Sequence, residues 1–271
     1  MKTQPKKFRN AGIEKTLMEI TEIACAVLTK HHGRIRSVDM KGAVNLVTNV
    51  DREAERRVVA HIRKRYPDHS IMAEESWEGG REVPKGYTWI VDPLDGTTNY
   101  AHGLEHYAFT AAVALDGVPV AGVIADPARG HIYRAYQGRG AFLGEKRLRV
   151  SEHRRLADSL LVTGFPYDRR KRIPELMALY GAFLKRTHGV RRYGVAALDL
   201  ALVAAGQFEG YYEQGLYPWD VAAGWLLVTE AGGKVTDYEG KPFHLFSPGI
   251  LAAAPPIHKS MKKVIGDTTE S

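Results

Sequence analysis

Four short β-rich runs, at 108–115, 119–125, 131–136 and 141–143, follow one another with only turns between them. Gly117, the segment from Asp126-Pro127 to Gly130, and Gly138 with Gly140 supply those turns. This spacing predicts an antiparallel meander. An apolar run before it, 88–92, is expected to join the same sheet. Upstream, Ile13, Leu17, Ile20, Ala24, Val27 and Leu28 recur at helical spacing, which predicts an amphipathic helix over 12–31 ended by Gly33. Thr48 with Asp51 three positions on reads as the capped start of a second helix. Ala54, Val58 and Ile62 form one face of it, Glu53 and Arg57 are spaced to pair, and Tyr66-Pro67-Asp68 stops it.

The rhythm changes near 151. Strands are predicted at 160–163, 190–193, 208–213, 234–237 and 250–254. Helices are predicted at 174–186, 196–205, 219–231 and 256–265, with Pro174 in the first turn of its helix. Alternation of this kind argues for an α/β lobe. The expected fold is therefore mixed α/β, with an N-terminal lobe of helices and antiparallel sheet over 1–150 and a C-terminal α/β lobe over 151–271. No internal repeat is visible, and the tail from Gly266 to Ser271 is expected to fray.

The composition excludes several classes. The chain has 271 residues, 44% hydrophobic and 25% charged, which is ordinary for a globular protein. It has no apolar run long enough for a transmembrane helix. Met1 to Asn10 is basic and polar with no apolar segment behind it, so no secretory signal is expected. Cys25 is the only cysteine, which rules out an intrachain disulfide, and its place on an apolar helix face suggests a buried thiol. Together these point to the cytoplasm. The net charge of +7 suits anionic partners, but it is spread along the chain without a nucleic-acid motif, so a nucleic-acid surface is not expected.

Three places carry candidate chemistry. The first is Trp89-Ile90-Val91-Asp92-Pro93-Leu94-Asp95-Gly96-Thr97-Thr98-Asn99, an apolar strand that runs into two acids. Pro93 is expected to break the strand. Gly96 permits a tight path or close approach by a ligand, and Thr97 and Thr98 fall at the first turn of a short helix. Two acids beside an anion-binding backbone imply a cation between them. The same Asp-Pro-x-Asp-Gly string is also good turn chemistry. The second place is Glu74-Glu75-Ser76, again at a strand end, which reads equally as a solvated loop. The third is Glu213 with Trp219-Asp220. Pro218 suits the first helical position, and Asp220 in the first turn is favoured by the helix dipole whether or not it binds anything.

Taken together, Glu74-Glu75-Ser76, Asp92-Pro93-Leu94-Asp95-Gly96-Thr97-Thr98-Asn99, Trp219-Asp220-Val221-Ala222-Ala223-Gly224 and Glu230-Ala231-Gly232-Gly233 resemble the inositol monophosphatase family, within the lithium-sensitive, Mg²⁺-dependent sugar phosphatases. The resemblance spans about residues 12–260. Lys41-Gly42, Thr48-Asn49-Val50-Asp51 and Gly164-Phe165-Pro166 suggest its bacterial-type branch. Haloacid-dehalogenase-type phosphatases are excluded, because here two residues rather than one separate the acids and the site lies a third of the way along the chain.

The resemblance implies a layered αβαβα sandwich and a cytoplasmic homodimer. It implies two to three Mg²⁺ ions held by Glu74, Asp92, the Leu94 carbonyl, Asp95 and Asp220. It places the phosphate on Gly96 and Thr97, the attacking water on Thr97, Asp51 and Glu74, and the substrate's hydroxyls on Glu213 and Ala196, with Asp95 and Asp220 beside them. The implied substrate is a small phosphorylated polyol or sugar, first inositol 1-phosphate. Fructose 1,6-bisphosphate is the close alternative. A phosphatase of 3′-phosphoadenosine 5′-phosphate ranks behind, because Glu213 sits where a polyol reader would. A protein that binds RNA or transcription machinery is the alternative of a different class. The chain departs from the family at Val195, where a Ser or Thr is frequent, and this bears on which alcohol is bound. Lys41 is expected on a mobile loop.

Overall fold

The apolar positions of the first helix decide which way it faces. The computed structural model describes residues 7–34, 38–40 and 46–269. Helix α1 (Ala11–His31) is capped by the Asn10 side chain, which accepts from the Ile13 N–H at 3.1 Å. All six positions predicted for its apolar face are buried. A hairpin of β1 (Val38–Met40) and β2 (Leu46–Thr48) leads into α2 (Asn49–Arg65). Then follow β3 (Ser70–Ala73), β4 (Tyr87–Asp95), the short α3 (Thr97–Ala101), β5 (Ala108–Leu115), β6 (Val118–Asp126), β7 (His131–Tyr136), β8 (Gly140–Leu143) and β9 (Lys146–Arg147). The later half holds β10 (Leu160–Thr163), α4 (Arg169–Leu184), β11 (Gly189–Arg191), α5 (Ala196–Ala204), β12 (Gly210–Gln214), α6 (Pro218–Glu230), β13 (Lys234–Thr236), β14 (Gly249–Ala253) and α7 (Pro255–Thr269).

Strands β3 to β9 form one seven-stranded sheet in sequence order, antiparallel except for the β3–β4 pair. The expected meander is its body. The second sheet has five strands in the order β11-β10-β12-β14-β13, parallel on one side and antiparallel on the other. Helices α1 and α2 cover the outer face of the large sheet, α5 and α6 lie between the sheets, and α4 with α7 cover the small sheet. That is the αβαβα order. Three hydrophobic clusters fill the layers, and the middle one draws on both halves of the chain, from Ile90 and Met72 to Val162 and Tyr211.

Close packing explains one motif. In Trp219-Asp220-Val221-Ala222-Ala223-Gly224, the small residues let α6 settle between two layers. A Cβ on Gly224 would overlap the Leu200 side chain of α5, and one on Gly122 of β6 would lie 3.1 Å from Ala223 Cα. Larger side chains here would lift α6, and Asp220 with it, away from the sheet.

Several expectations need correction. The strand does not stop at Pro93. β4 continues to Asp95 through a one-residue bulge, because Asp92 pairs with Thr110 and Asp95 with Ala108. A bulge spares the ladder bond that proline lacks. Helix α4 begins five residues before Pro174, which therefore sits inside it. α7 runs to Thr269, so the tail is helical to that point. Cys25 is only partly buried, although burial is still the main force that pushes its thiol up to about 11. Lys41 lies outside the described residues.

Candidate active site

The β4 bulge and α3 bring two carboxylates and two threonines to one spot. The Asp92 carboxylate is buried, and its Oδ1 accepts from the Leu94 N–H at 2.9 Å, which folds the bulge. Gly96 follows in the left-handed region at φ 88° and caps α3. A side chain there is barred twice, by that backbone angle and by Val195, whose Cγ2 would stand 2.7 Å from an added Cβ. Asn99 ties α3 across the molecule, with Nδ2 donating to the carbonyls of His106 and Tyr193.

Thr97 Oγ1 lies 3.0 Å from Asp51 Oδ1 and 3.0 Å from the Leu94 carbonyl, so its one proton serves one of them at a time. Asp51 is fixed by the start of α2. Its Oδ2 accepts from the Thr48 N–H at 3.0 Å and also from the Thr48 hydroxyl, while Thr48 Oγ1 accepts from the Val50 N–H. This is the predicted capping box. Burial raises the Asp51 carboxyl above the usual carboxylate range, and the hydrogen bonds from Thr48 and Thr97 hold it back.

The C-terminal half supplies the opposite wall. Asp95 Oδ2 accepts from the Ala197 N–H at the start of α5 at 2.7 Å, a bond between residues 102 positions apart. Asp220 Oδ2 accepts from the Tyr217 N–H at 2.7 Å and closes the first turn of α6. Glu213 on β12 is buried, with Oε2 accepting from the Tyr211 hydroxyl at 2.5 Å. Its carboxylate occupies the space where a Cβ on Gly164 would stand, so Gly164 is required by that approach.

A cavity of about 140 Å³ opens between these walls. Six of the residues predicted for the site line it: Asp95, Gly96, Thr97, Ala196, Glu213 and Asp220. Asp51, Glu74, Asp92 and Leu94 do not line it, but Glu74 raises both Asp95 and Asp220, and those two in turn raise Asp92. Burial, then repulsion from Glu74, Asp95 and Asp220, raises Asp92 far above the usual range. Burial, then Asp95 and Glu74, does the same to Asp220. Asp95 is pushed up to about 7 by burial first, with the Ala197 N–H opposing. Glu213 also reaches about 7 through burial. Among the described residues, Asp92, Asp95 and Asp220 form no ion pair with Lys, Arg or His.

Among the described residues, no three His, Cys, Asp or Glu side chains stand close enough together to hold an ion as they lie. The donor chemistry nonetheless fits a hard divalent cation. It is all oxygen, anionic and partly withdrawn from water, and its like charges repel until a cation offsets them.

Sequence reasoning missed four neighbours. Tyr167, Arg169 and Arg192 line the same cavity, and Tyr211 holds Glu213 from behind. The Tyr167 side chain is half-exposed, and partial desolvation at the cavity wall, with repulsion from Asp220, Glu74, Asp95 and Asp92, raises its phenol above the ordinary value. Gly164-Phe165-Pro166 stood directly before Tyr167 in sequence and was the available signal. Glu230, by contrast, is structural. Its two oxygens accept from the Gly138 and Gly140 N–H groups at 2.7 Å each and pin the β7–β8 turn.

A five-layered α/β fold with an acidic cavity between its sheets is the class that these observations define. The profile of the Inositol monophosphatase family matches residues 10–270. The chain is 40% identical to an inositol-1-monophosphatase of Synechocystis over 88% of its own length and 83% of that protein's. It is 42% identical to a protein of Pasteurella multocida named Nus factor SuhB, covering 82% of this chain and 83% of the other. The solved inositol monophosphatase of Anabaena superposes with a TM-score of 0.84 at 39% identity, covering 95% of this chain and 98% of that one. The chain belongs to the inositol monophosphatase family, whose members are generally metal-dependent phosphatases. No helix among the described residues is long and apolar enough to cross a membrane.

Proposed function

We propose that this protein is a Mg²⁺-dependent phosphomonoesterase that hydrolyses inositol 1-phosphate to inositol and phosphate. The observation that carries the reading is the single cavity to which two distant parts of the chain bring Asp95, Gly96, Thr97, Ala196, Glu213 and Asp220. Glu74, Asp92, the Leu94 carbonyl, Asp95 and Asp220 are the residues to hold two to three Mg²⁺ ions. Bound Mg²⁺ supplies charge neutralisation, activation of the attacking water and stabilisation of the leaving oxygen.

The rest falls to the chain's own groups. Thr97 Oγ1 takes a hydrogen bond from the attacking water and passes its own proton toward Asp51 Oδ1, 3.0 Å away. Glu74 orients the same water. The Gly96 and Thr97 N–H groups receive the phosphate, the former shared with Asp95. Glu213, with the backbone at Ala196, accepts from the polyol hydroxyls, and the Tyr211 hydroxyl fixes its orientation. The protein's contribution is thus placement and charge.

A phosphate-release assay over inositol 1-phosphate, fructose 1,6-bisphosphate and adenosine 3′,5′-bisphosphate, with and without Mg²⁺, tests this reading. It predicts Mg²⁺-dependent release that Asp95→Asn abolishes. Absence of release from every ester sinks it. Arg169 and Arg192 on the cavity wall favour a second substrate, since two guanidiniums there suit the distal phosphate of fructose 1,6-bisphosphate. The relatives named Nus factor favour a further role with transcription machinery. If that role exists here, Asp95→Asn leaves it intact. The setting proposed for all of this is a cytoplasmic homodimer, which sedimentation checks directly.

A further inference from the structure

A second opening adjoins the acidic cavity and has the opposite character. Its volume is about 400 Å³, and Trp77, Arg81, Leu216, Tyr217, Trp219 and Phe246 supply its side-chain walls. A single exposed ring is unremarkable on a protein surface, but four aromatic side chains around one opening are not. Tyr217 and Trp219 stack with ring centroids 5.1 Å apart and planes 8° from parallel. Elsewhere on the wall, the Arg81 guanidinium carbon stands 5.9 Å from the Phe246 ring centroid, and its Nη2 donates to the Phe246 carbonyl at 3.4 Å. The Trp77 indole lies over Gly79, where any Cβ would overlap it, so the loop presents this ring by leaving the space beneath it empty.

The opening adjoins the acidic cavity, since Gly215 and Leu216 line both. Its walls also grow from the segments that carry the acids. Trp77 follows Glu74 by three positions, and Trp219 precedes Asp220 directly. The Tyr217 N–H is the group that holds the Asp220 carboxylate. The polyol belongs beside Glu213, in the smaller cavity.

We propose that this cleft is a subsite for a planar aromatic group on the alcohol of a phosphomonoester, so that the protein also takes aryl phosphates whose phosphate sits on the Gly96 and Thr97 N–H groups. The proposal rests on the phosphatase reading above. The ring lies between the Tyr217–Trp219 stack and the Arg81–Phe246 side, held by stacking and by the guanidinium.

The test compares 1-naphthyl phosphate with inositol 1-phosphate in the wild-type protein, Phe246→Ala and Arg81→Ala, all with Mg²⁺. The cleft predicts that each variant raises KM for naphthyl phosphate about five- to tenfold, with kcat within about twofold. Inositol 1-phosphate kinetics remain unchanged, which also certifies the fold. Equal effects on both substrates, or none on naphthyl phosphate, overturn the proposal and leave the phosphatase intact. A hydrolysis-inert naphthylmethyl phosphonate, titrated by quenching of tryptophan emission, separates the two failures. If no ester is hydrolysed, weaker quenching in Phe246→Ala still supports the cleft, and quenching that Phe246→Ala leaves unchanged overturns it.

Discussion

Replacing Asp95 with Asn should make the metal-free protein more stable while destroying its use. The carboxylate is lifted from its usual 3.8 to about 7, chiefly by burial, with repulsion from Glu213 and Glu74 added. Its ionised form is therefore disfavoured in the folded chain and not in the unfolded one. The sign follows from linkage. The folded state binds the extra proton between about pH 4 and 7, so stability falls as pH rises through that window. A displacement of about three pH units corresponds to about 4 kcal/mol. Solvent that reaches the half-buried side chain reduces this to about 2 kcal/mol. Asn keeps the shape and an oxygen to accept from the Ala197 N–H, so the 2.7 Å bond to α5 survives. Urea unfolding in EDTA should then show Asp95→Asn more stable than wild type by about 2 kcal/mol at pH 8, and the gap should close toward pH 4. With saturating Mg²⁺ the order should reverse, because only the wild type gains binding energy. A variant less stable than wild type in EDTA at every pH would refute the view of Asp95 as a like-charge cost held for a cation.

Other outcomes follow from the same geometry. Mg²⁺ should raise the melting temperature, and the increment should shrink from pH 8 to pH 5.5 as protons compete at Asp95, near 7; a pH-independent increment would count against that carboxylate as a ligand. Thr97→Val keeps the shape and removes the hydroxyl beside Asp51, so kcat should fall about 10²- to 10³-fold in a phosphate-release assay with the circular dichroism spectrum unchanged. Glu230→Ala strands the Gly138 and Gly140 N–H groups and should cost about 2–4 kcal/mol in urea unfolding, with kcat untouched. Lithium should inhibit in competition with Mg²⁺ at the Asp220 side of the site, and indifference to lithium would argue against the proposed ligand set there.

The layers were legible wherever periodicity was strong. The α1 face and the meander follow from spacing alone, because local pattern and tertiary burial agree there. Pro93 misled because proline's local effect was weighed without the bulge that accommodates it, and a bulge depends on the partner strand. Pro174 misled in the same way, since the first turn of α4 was assigned to the proline and not to the Arg-rich segment before it. At the site, Asp95 was singled out by its motif, whereas Asp51 read as a helix cap and Asp220 as a first-turn acid until the family resemblance gave them roles. Arg169, Arg192 and Tyr211 were not singled out, because nothing local distinguishes an arginine on a cavity wall from one on a solvated face. Only the approach of α4, the 189–195 segment and β12 to α3 brings them into view.

Anomalous scattering from crystals grown with Mn²⁺ in place of Mg²⁺ bears most directly on the claim that acids from distant segments share a cation. Peaks bounded by Glu74, Asp92, Asp95 and Asp220 are predicted. Saturating Mn²⁺ with no peak among those four side chains would contradict it.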